Sequence, residues 1–182
     1  MGAVSDTDEA LGAAAFSGDQ LPIVIVNVAY RLNTLGFLAT SDLAAEQGGS
    51  AGNYGITDAL LALKWVQSNI AAFGGDPARV TIGGQSSGGT LCYGLMSTAL
   101  SRGLFTGVIS LSGSENMTWT MQQKTAFDQR VVQSVGCAGG ATVAARNACM
   151  RALPALSLGN ATPPEWNIVG HVLGATTPLR TP

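Results

Sequence analysis

Residues 73–89, FGGDPARVTIGGQSSGG, constrain the fold of this chain more than any other stretch. The β-branched centre at 80–82 is typical of a short buried strand. It leads into a G-x-S-x-G pentapeptide at 84–88 and then into a segment, 90–100, with helical character. A strand, a tight turn and a helix in this order predict a nucleophile elbow, in which a strained turn projects a serine hydroxyl above a sheet. Ser86 is therefore the candidate nucleophile.

The pentapeptide alone has other interpretations. In a chain with 24 glycines it also fits a glycine- and serine-rich turn that has no chemical role. Two phosphate-binding loops do not fit the residues. A dinucleotide fingerprint that began at Gly84 would need a glycine where Ser86 stands, and a P-loop would need a lysine where Gly89 stands. The flanking segments therefore favour a nucleophile over a phosphate site.

Strand and helix patterns alternate around this turn. The apolar run 22–30 predicts a central parallel strand, 57–72 an amphipathic helix and 107–111 a further strand. Short links between such segments imply parallel strands with right-handed crossovers, which is an α/β fold. The apolar residues expected on the buried faces of the two helices are Leu60, Leu61, Leu63, Trp65, Val66, Ile70, Leu91, Leu95 and Met96.

The other segments carry weaker patterns. Residues 31–52 are interpreted as a loop with its most flexible part at 48–50. Two more helices are predicted at 125–135 and 142–153, and 154–182 is interpreted as irregular.

Ordered sequence blocks lie on both sides of the elbow. They are YRL at 30–32 with LGFL at 35–38, GNYG at 52–55 followed by Asp58, L-x-WVQ-x-NI-x-x-FGG at 63–75, and V-x-I-x-G-x-SSG at 80–88. In this order and spacing they resemble the blocks of the type-B carboxylesterase/lipase family, the cholinesterase-like α/β-hydrolases. The chain is identified as a member of that family by this resemblance, which is dense from about residue 23 to residue 114.

The resemblance implies the central fragment of an α/β-hydrolase fold, with a mostly parallel sheet and flanking helices. Because family members are much longer, it also implies that 1–182 is a single incomplete domain. The motif-dense core would be 23–114 and the helical or irregular remainder 115–182. Only 11% of the residues are charged and the mean hydropathy is +0.27, as expected for a piece whose apolar faces other segments cover.

The family's chemistry implies specific roles for residues of the elbow. Ester hydrolysis by serine needs a nucleophile, a histidine base, an acid that orients the base and donors for the oxyanion. Ser86 would form the acyl-enzyme, and the backbone N–H of Ser87 would be one oxyanion donor. Family members commonly have alanine at the position of Ser87 and an acid at that of Gln85, so the elbow here lacks one charge.

The remaining catalytic groups are expected elsewhere. The family's H-G-G-G oxyanion loop does not occur in this sequence and is expected before Met1, with the catalytic Glu and His downstream of 182. The only histidine, His171, lies in 168–173, which resembles a degenerate surface-loop segment of the family. If His171 were the base instead, the chain order of a hydrolase would allow one of three acids: Glu115, Asp128 or Glu165. The 182-residue chain alone is expected to have little or no esterase activity.

Two residue pairs take structural roles from the resemblance. Arg31 and Asp58 correspond to a buried ion pair, whose disruption would cost on the order of 3–5 kcal/mol. Cys137 and Cys149 correspond to a short disulfide loop, and the alternative is two free cysteines on neighbouring helices. Cys92, in the elbow helix, is predicted to be a buried free thiol.

Charge and composition exclude several classes of partner. A net charge of −2 without a basic run gives no field that attracts nucleic acid or an anionic membrane. The apolar stretch 21–26 is too short to span a bilayer, and the start of the chain has no signal-peptide pattern. The cysteine spacing does not suit zinc, and no metal or cofactor is predicted.

The expected partner is a small-molecule carboxylic ester, and the oligomeric state is left open. Sequons at Asn116 and Asn160, with the implied disulfide, predict a secreted or extracellular full-length protein. The alternatives to an enzyme are a catalytically inactive cholinesterase-like binding or adhesion module and a non-functional truncated product.

Overall fold

A two-stranded parallel sheet carries the predicted elbow. A computed structural model describes residues 23–115 and 119–161, and strands β1 (Thr81–Gln85) and β2 (Gly107–Leu111) pair in parallel, with Thr81 opposite Gly107 and Gln85 opposite Leu111. The described helices are α1 (Asn33–Phe37), α2 (Ser41–Glu46), α3 (Tyr54–Asn69), α4 (Ser87–Ser97), α5 (Met121–Ser134), α6 (Val143–Ala152) and α7 (Ala155–Asn160). Short 3-10 segments lie at Ile70–Phe73, Pro77–Arg79 and Ala99–Ser101. The α/β class and the parallel pairing that the sequence predicts are confirmed.

Helix α4 connects the two strands and contacts both of them. Its side chains Leu91 and Leu95 are buried, as is Ile82 of β1, so the helix covers one face of the sheet. Met96 was expected on the same buried face, but it is exposed. It follows Leu95 by one residue, and successive residues of a helix point about 100° apart, so both cannot face the sheet.

Helix α3 is buried along one side only. Leu60, Leu63, Val66 and Ile70 are buried, as predicted, whereas Leu61 and Trp65 are exposed and the prediction for these two is wrong. The helix tightens into the 3-10 turn Ile70–Phe73, which ends at Gly74 with φ of 81°. Glycine suits this left-handed conformation because it has no Cβ, which explains the predicted stop.

The described chain forms two compact units. Residues 23–29 and Ala59–Gly113 make up the first, which holds β1, β2, α4 and most of α3. The second contains Tyr30–Asp58 and the described residues from Ser114 onward, with α1, α2, α5, α6 and α7. The single incomplete domain over 1–182 stays a prediction.

The second unit has its own apolar core. Its buried members are Leu38, Val131, Val132, Cys137 and Met150, which come from α5, α6 and the segments beside them. Partly buried residues such as Leu43 of α2 and Leu158 of α7 pack against this cluster. Helices α2, α5, α6 and α7 therefore share one core.

Two predictions of local structure are wrong. Residues 31–52 are not one loop, because they contain α1 and α2. Helix α2 begins after Thr40, whose side-chain oxygen accepts a hydrogen bond from the backbone N–H of Leu43 at 3.1 Å, a regular N-cap. The described part of the predicted strand, 23–30, belongs to no strand, and its apolar run 23–26 is exposed. A strand requires a paired neighbour, and in the described sheet β1 and β2 pair only with each other.

Within the described residues no helix is long and apolar enough to cross a membrane.

The region 154–182 was predicted to be irregular, and this prediction is wrong for 155–160, which form α7. Residues 162–182 lie outside the described part of the chain.

Candidate active site

Ser86 is the single residue between β1 and α4. Its backbone has φ of 52° and ψ of −117°, a conformation that residues with a Cβ rarely adopt. The residue is exposed, and its side chain makes no capping hydrogen bond to α4. Strained backbone of this kind costs on the order of 1–3 kcal/mol and persists where surrounding structure imposes it.

Glycines let the strand and the helix approach each other on both sides of Ser86. A Cβ on Gly84 would overlap the backbone of Gly88, its partner across the turn. A Cβ on Gly89 would lie 2.8 Å from Ser110 Oγ and 2.9 Å from Gly113 Cα, both of them contacts with the region of β2. Packing therefore requires glycine at positions 84 and 89, whereas a Cβ on Gly88 would meet no atom within 4 Å.

Backbone hydrogen bonds fix the turn on the sheet. The N–H of Ser86 donates to the carbonyl of Leu111 at 2.8 Å, which extends the β1–β2 ladder by one residue. The carbonyl of Ser86 accepts from the N–H of Thr90 at 2.9 Å and so begins α4. Ser87 is the first residue of that helix, where N–H groups have no acceptor within the helix. An N–H in this position can donate to an oxygen that lies near the Ser86 hydroxyl.

The charge near the turn is low. Gln85 is exposed and neutral, and Asp76 is the one carboxylate among the described residues of this unit. The N–H of Ala78 and the guanidinium of Arg79 donate hydrogen bonds to Asp76 and hold the pKa of its carboxyl below the usual range.

Cys92 of α4 is a buried free thiol, as predicted, and burial raises its pKa. The thiol is therefore protonated at neutral pH and is a poor nucleophile.

Within the described part of the chain, the alternative acids and base do not form a catalytic triad with Ser86. His171 and Glu165 lie outside the described residues. Glu115 is exposed in the second unit. Asp128, also in the second unit, is buried, accepts a hydrogen bond from the N–H of Ala39 at 2.6 Å and forms an ion pair with Lys124. The Asp128 carboxylate is therefore committed to structural contacts.

The Lys124–Asp128 pair on α5 is an ionic contact inside the second unit that the sequence did not indicate. The side chains are 5% and 0% exposed, and the two residues are four apart on one helix face. Burial lowers the pKa of Lys124 to about 8, although the Asp128 carboxylate acts in the opposite direction. The loss of hydration thus outweighs the attraction of the nearby charge.

Arg31 and Asp58 form the contact that the resemblance implies. The Asp58 carboxylate accepts hydrogen bonds from Nε and Nη2 of Arg31, each at 2.8 Å, and from its backbone N–H at 2.9 Å. These bonds hold the pKa of Asp58 below its usual range. The pair is not buried as expected: the side chains are 52% and 25% exposed, and the guanidinium carbon of Arg31 lies 5.4 Å from the centre of the Tyr54 ring. Water screens such a pair, so the expected cost of 3–5 kcal/mol is too large.

Cys137 and Cys149 form a disulfide, as the resemblance implies, with 5.6 Å between their Cα atoms. Their sequence separation is 12 residues, and the bond joins the segment after α5 to α6. Closing a loop of this length restricts the unfolded chain by about 3 kcal/mol in the chain-entropy account.

Three residues next to the turn were not found from the sequence. Ser112 directly follows β2 as Ser86 follows β1, and it has the same φ of 52°. Ser110 and Gly113 contact the first turn of α4. The signal available was the sequence SLSGS at 110–114, a second small-residue cluster at the end of a strand.

Within the described residues, no group of three or more His, Cys, Asp or Glu side chains could hold a metal ion.

Comparisons with known proteins give one consistent result. A family model described as "Carboxylesterase family" matches residues 3–178. Carboxylesterase 4A of Bos taurus is 42% identical over 69% of this chain and 23% of its own length. Esterase B1 of Culex pipiens is 41% identical over 66% of this chain and 22% of its own. Neuroligin-2 of Mus musculus is 40% identical over 63% of this chain and 13% of its own. The chain thus spans less than a quarter of the length of these relatives.

Proposed function

Because this chain belongs to the carboxylesterase family and carries part of its α/β-hydrolase fold, we propose that it supplies the nucleophile of a serine hydrolase that cleaves carboxylic esters. The observation that supports this most directly is the backbone of Ser86. An exposed serine with φ of 52° follows a parallel strand and precedes a helix, and Gly84 and Gly89 near it leave no room for a Cβ. Strain of this kind is retained where a side chain must be presented in one direction.

The proposed reaction has two steps. The Oγ atom of Ser86 attacks the ester carbonyl carbon, its proton passes to a histidine base, and the alcohol departs with that proton to leave an acyl-enzyme. Water then attacks the acyl carbon, releases the acid and restores the serine hydroxyl. During both steps negative charge on the former carbonyl oxygen is stabilised by the N–H of Ser87. The histidine and its acid belong to the whole protein, and neither is placed by the described residues.

The low charge around Ser86 favours neutral esters. Gln85 adds no charge beside the nucleophile, and the elbow end of the described sheet carries no carboxylate. The disulfide supports a protein that folds in an oxidising compartment, and we propose that the full-length protein is secreted or extracellular. We also propose that residues 1–182 are part of one longer carboxylesterase domain, in which Arg31–Asp58 is a structural contact.

A second candidate is a binding module without catalysis. The similarity to neuroligin-2, a relative that is not named as an esterase, is consistent with it, because that relative matches this chain nearly as well as the esterases do. The serine at position 86 argues for the enzyme, since a module without catalysis has no use for a strained, exposed nucleophile.

A fluorophosphonate probe, which bonds covalently to activated serines, separates the two candidates. It would be applied to the protein that contains this segment, alongside hydrolysis of a short p-nitrophenyl ester. We expect labelling of Ser86, loss of labelling in Ser86→Ala, and a fall in kcat of at least about 10⁴-fold. Ser87→Ala is the matched control, because it removes the neighbouring hydroxyl but keeps the backbone N–H, and it should retain activity within about fivefold.

Two outcomes contradict the proposal. One is unchanged labelling and hydrolysis in Ser86→Ala. The other is a folded wild-type protein that neither reacts with the probe nor hydrolyses the ester, which would favour the binding module.

A further inference from the structure

We propose that Ser110 is a positioning residue for the oxyanion donor. In this inference, which rests on the proposed function, Ser110 and the glycines at 89 and 113 set how closely the first turn of α4 approaches β2, and thereby where the N–H of Ser87 points. These three residues are called the helix-seat cluster below.

The helix-seat cluster is close-packed. A Cβ on Gly89 would lie 2.8 Å from Ser110 Oγ and 3.0 Å from the backbone nitrogen of Gly113. A Cβ on Gly113 would lie 2.5 Å from the same Oγ and 2.7 Å from the backbone nitrogen of Thr90. Real Cβ atoms essentially never come within 3 Å of such atoms, so the space admits only glycine at 89 and 113 and a short side chain at 110.

The Ser110 hydroxyl is buried and has no hydrogen-bond partner among the described residues. A buried polar group without a partner costs free energy, and a β-branched residue would suit a strand better. Val108, two residues earlier on the same side of β2, shows the kind of residue that the strand otherwise places there. The serine is therefore explained by its small size: a larger side chain would push the first turn of α4 away from the strand.

That displacement would act on the reaction through Ser87. Gly89 is the third residue of α4 and Ser87 is the first, so both belong to one rigid turn. The position of Ser86 itself is held separately, by the hydrogen bond that its N–H donates to the carbonyl of Leu111. A larger residue at 110 would thus move the oxyanion donor relative to the nucleophile. The loss should appear in kcat and not in KM, because the donor contacts the oxygen most strongly in the transition state.

Three substitutions at position 110 test this by size. Ser110→Ala keeps the space, Ser110→Thr adds one methyl group, and Ser110→Val adds two and removes the hydroxyl. The first readout is the amide ¹H and ¹⁵N chemical shifts of Ser87 and Gly88 in the 182-residue chain. The second is kcat and KM for the p-nitrophenyl ester in the protein that contains the segment. Ser97→Val, at the other end of α4, is the control for introducing a valine into the same βα unit.

We expect Ser110→Ala and Ser97→Val to leave the two amide shifts unchanged and kcat within about twofold. Ser110→Val should move both shifts and lower kcat by about 10- to 100-fold with KM nearly constant. Ser110→Thr, whose side chain has nearly the shape of valine, should behave like Ser110→Val, and it decides the question in the same way if the valine variant does not fold.

The inference is overturned if the folded valine or threonine variant keeps the wild-type shifts and kcat. It is also overturned if Ser110→Ala loses as much activity as Ser110→Val, because the hydroxyl and not the size would then matter. If the wild-type protein hydrolyses no ester, the proposed function fails, and the amide shifts alone decide whether the cluster positions the turn.

Discussion

At the scale of single residues, Ser86 combines exposure with a strained backbone. Four described residues other than glycine have positive φ: Asn33, Asn53, Ser86 and Ser112. Asparagine tolerates such angles because its side chain bonds its own backbone, whereas serine gains less from this. The two serines are therefore the positions where structure holds the backbone against its preference, and both directly follow a strand.

Replacement of Ser86 by glycine should stabilise the protein. Glycine adopts φ of 52° without strain, which recovers on the order of 1–3 kcal/mol, and its greater freedom in the unfolded chain subtracts about 0.5–1 kcal/mol. We expect a net gain of about 1 kcal/mol in the free energy of unfolding, measured by urea titration, together with loss of probe labelling. The control is Ser68→Gly in the last turn of α3, which should destabilise by about 0.5 kcal/mol. A destabilised Ser86→Gly would show that the turn is unstrained.

The Lys124–Asp128 pair should behave as a unit. Lys124→Met leaves the buried Asp128 charge uncompensated, and we expect a loss of about 3–5 kcal/mol in unfolding free energy at pH 7. Lys124→Met combined with Asp128→Asn should recover most of this, because the amide oxygen can still accept from the N–H of Ala39. Arg79→Met, which breaks the exposed pair with Asp76, is the control and should cost less than about 1 kcal/mol. Equal losses in the single and double variants would contradict this account.

At the scale of elements, the strand, turn and helix around Ser86 could be predicted because local chemistry determines them. The β-branched run gives β1, and the glycines at 84 and 89 allow the close packing of strand and helix. Helices α1 and α2 were missed because they have five and six residues, too few to show a period of 3.6. Thr40 did signal the start of α2, since threonine followed by serine and aspartate is a frequent N-cap sequence.

Other features depend on distant neighbours and could not be read from the sequence. The run 23–26 is apolar enough for a strand, but pairing partners decide whether a strand forms. Arg31 and Asp58 were paired correctly by resemblance, yet their exposure depends on what covers them. Lys124 and Asp128 have the spacing of an ordinary surface pair, and only the core of the second unit makes them buried.

The contact between α2 and α6 gives a prediction for acidic pH. Asp42 accepts hydrogen bonds from Nε and Nη2 of Arg146, at 2.5 and 2.7 Å, and these lower the pKa of its carboxyl. A carboxyl whose pKa is lower in the folded state contributes stability above its unfolded pKa, near 4, and loses it as the pH falls through the folded pKa. We expect Asp42→Asn to cost about 1.5–3 kcal/mol at pH 7 and progressively less below pH 4.

Urea unfolding of the wild type and Asp42→Asn between pH 7 and pH 2.5 measures this difference directly. Ser41→Ala, at the exposed neighbouring position of α2, is the control and should cost the same small amount throughout. A cost for Asp42→Asn that stays constant down to pH 2.5 would mean that the ion pair contributes nothing.

At the scale of the whole molecule, the described surface is unusually apolar. The exposed large hydrophobic residues are Ile23, Val24, Ile25, Val26, Leu35, Leu61, Trp65, Phe73, Met96, Ile109, Leu111 and Leu156. Parallel sheets are usually covered on both faces, and here Ile109 and Leu111 leave one face of β2 open. Surfaces of this kind belong at interfaces, which agrees with a chain that spans less than a quarter of its relatives.

The 182-residue chain should therefore bind the dye anilinonaphthalene sulfonate in its native state and associate as its concentration rises. Leu61 is 68% exposed, and Leu61→Lys should reduce dye binding while changing the unfolding free energy by less than about 0.5 kcal/mol. Leu60→Lys is the matched contrast. Leu60, unlike its neighbour Leu61, is buried, so a charge at this position should unfold the unit. Dye fluorescence and sedimentation velocity measure the two effects. A wild-type chain that stays monomeric and binds no dye would contradict the exposed surface.

The composition of α4 has a consequence for the order of folding. This helix has the sequence SGGTLCYGLMS, and its three glycines, at 88, 89 and 94, each cost about 1 kcal/mol of helix propensity relative to alanine. A helix so disfavoured cannot form alone and depends on Leu91 and Leu95 packing against strands that are already paired. We therefore expect the turn at Ser86 to be among the last parts of its unit to become ordered during folding. The glycines of α4 therefore make the turn at Ser86 late to form during folding and early to open during unfolding.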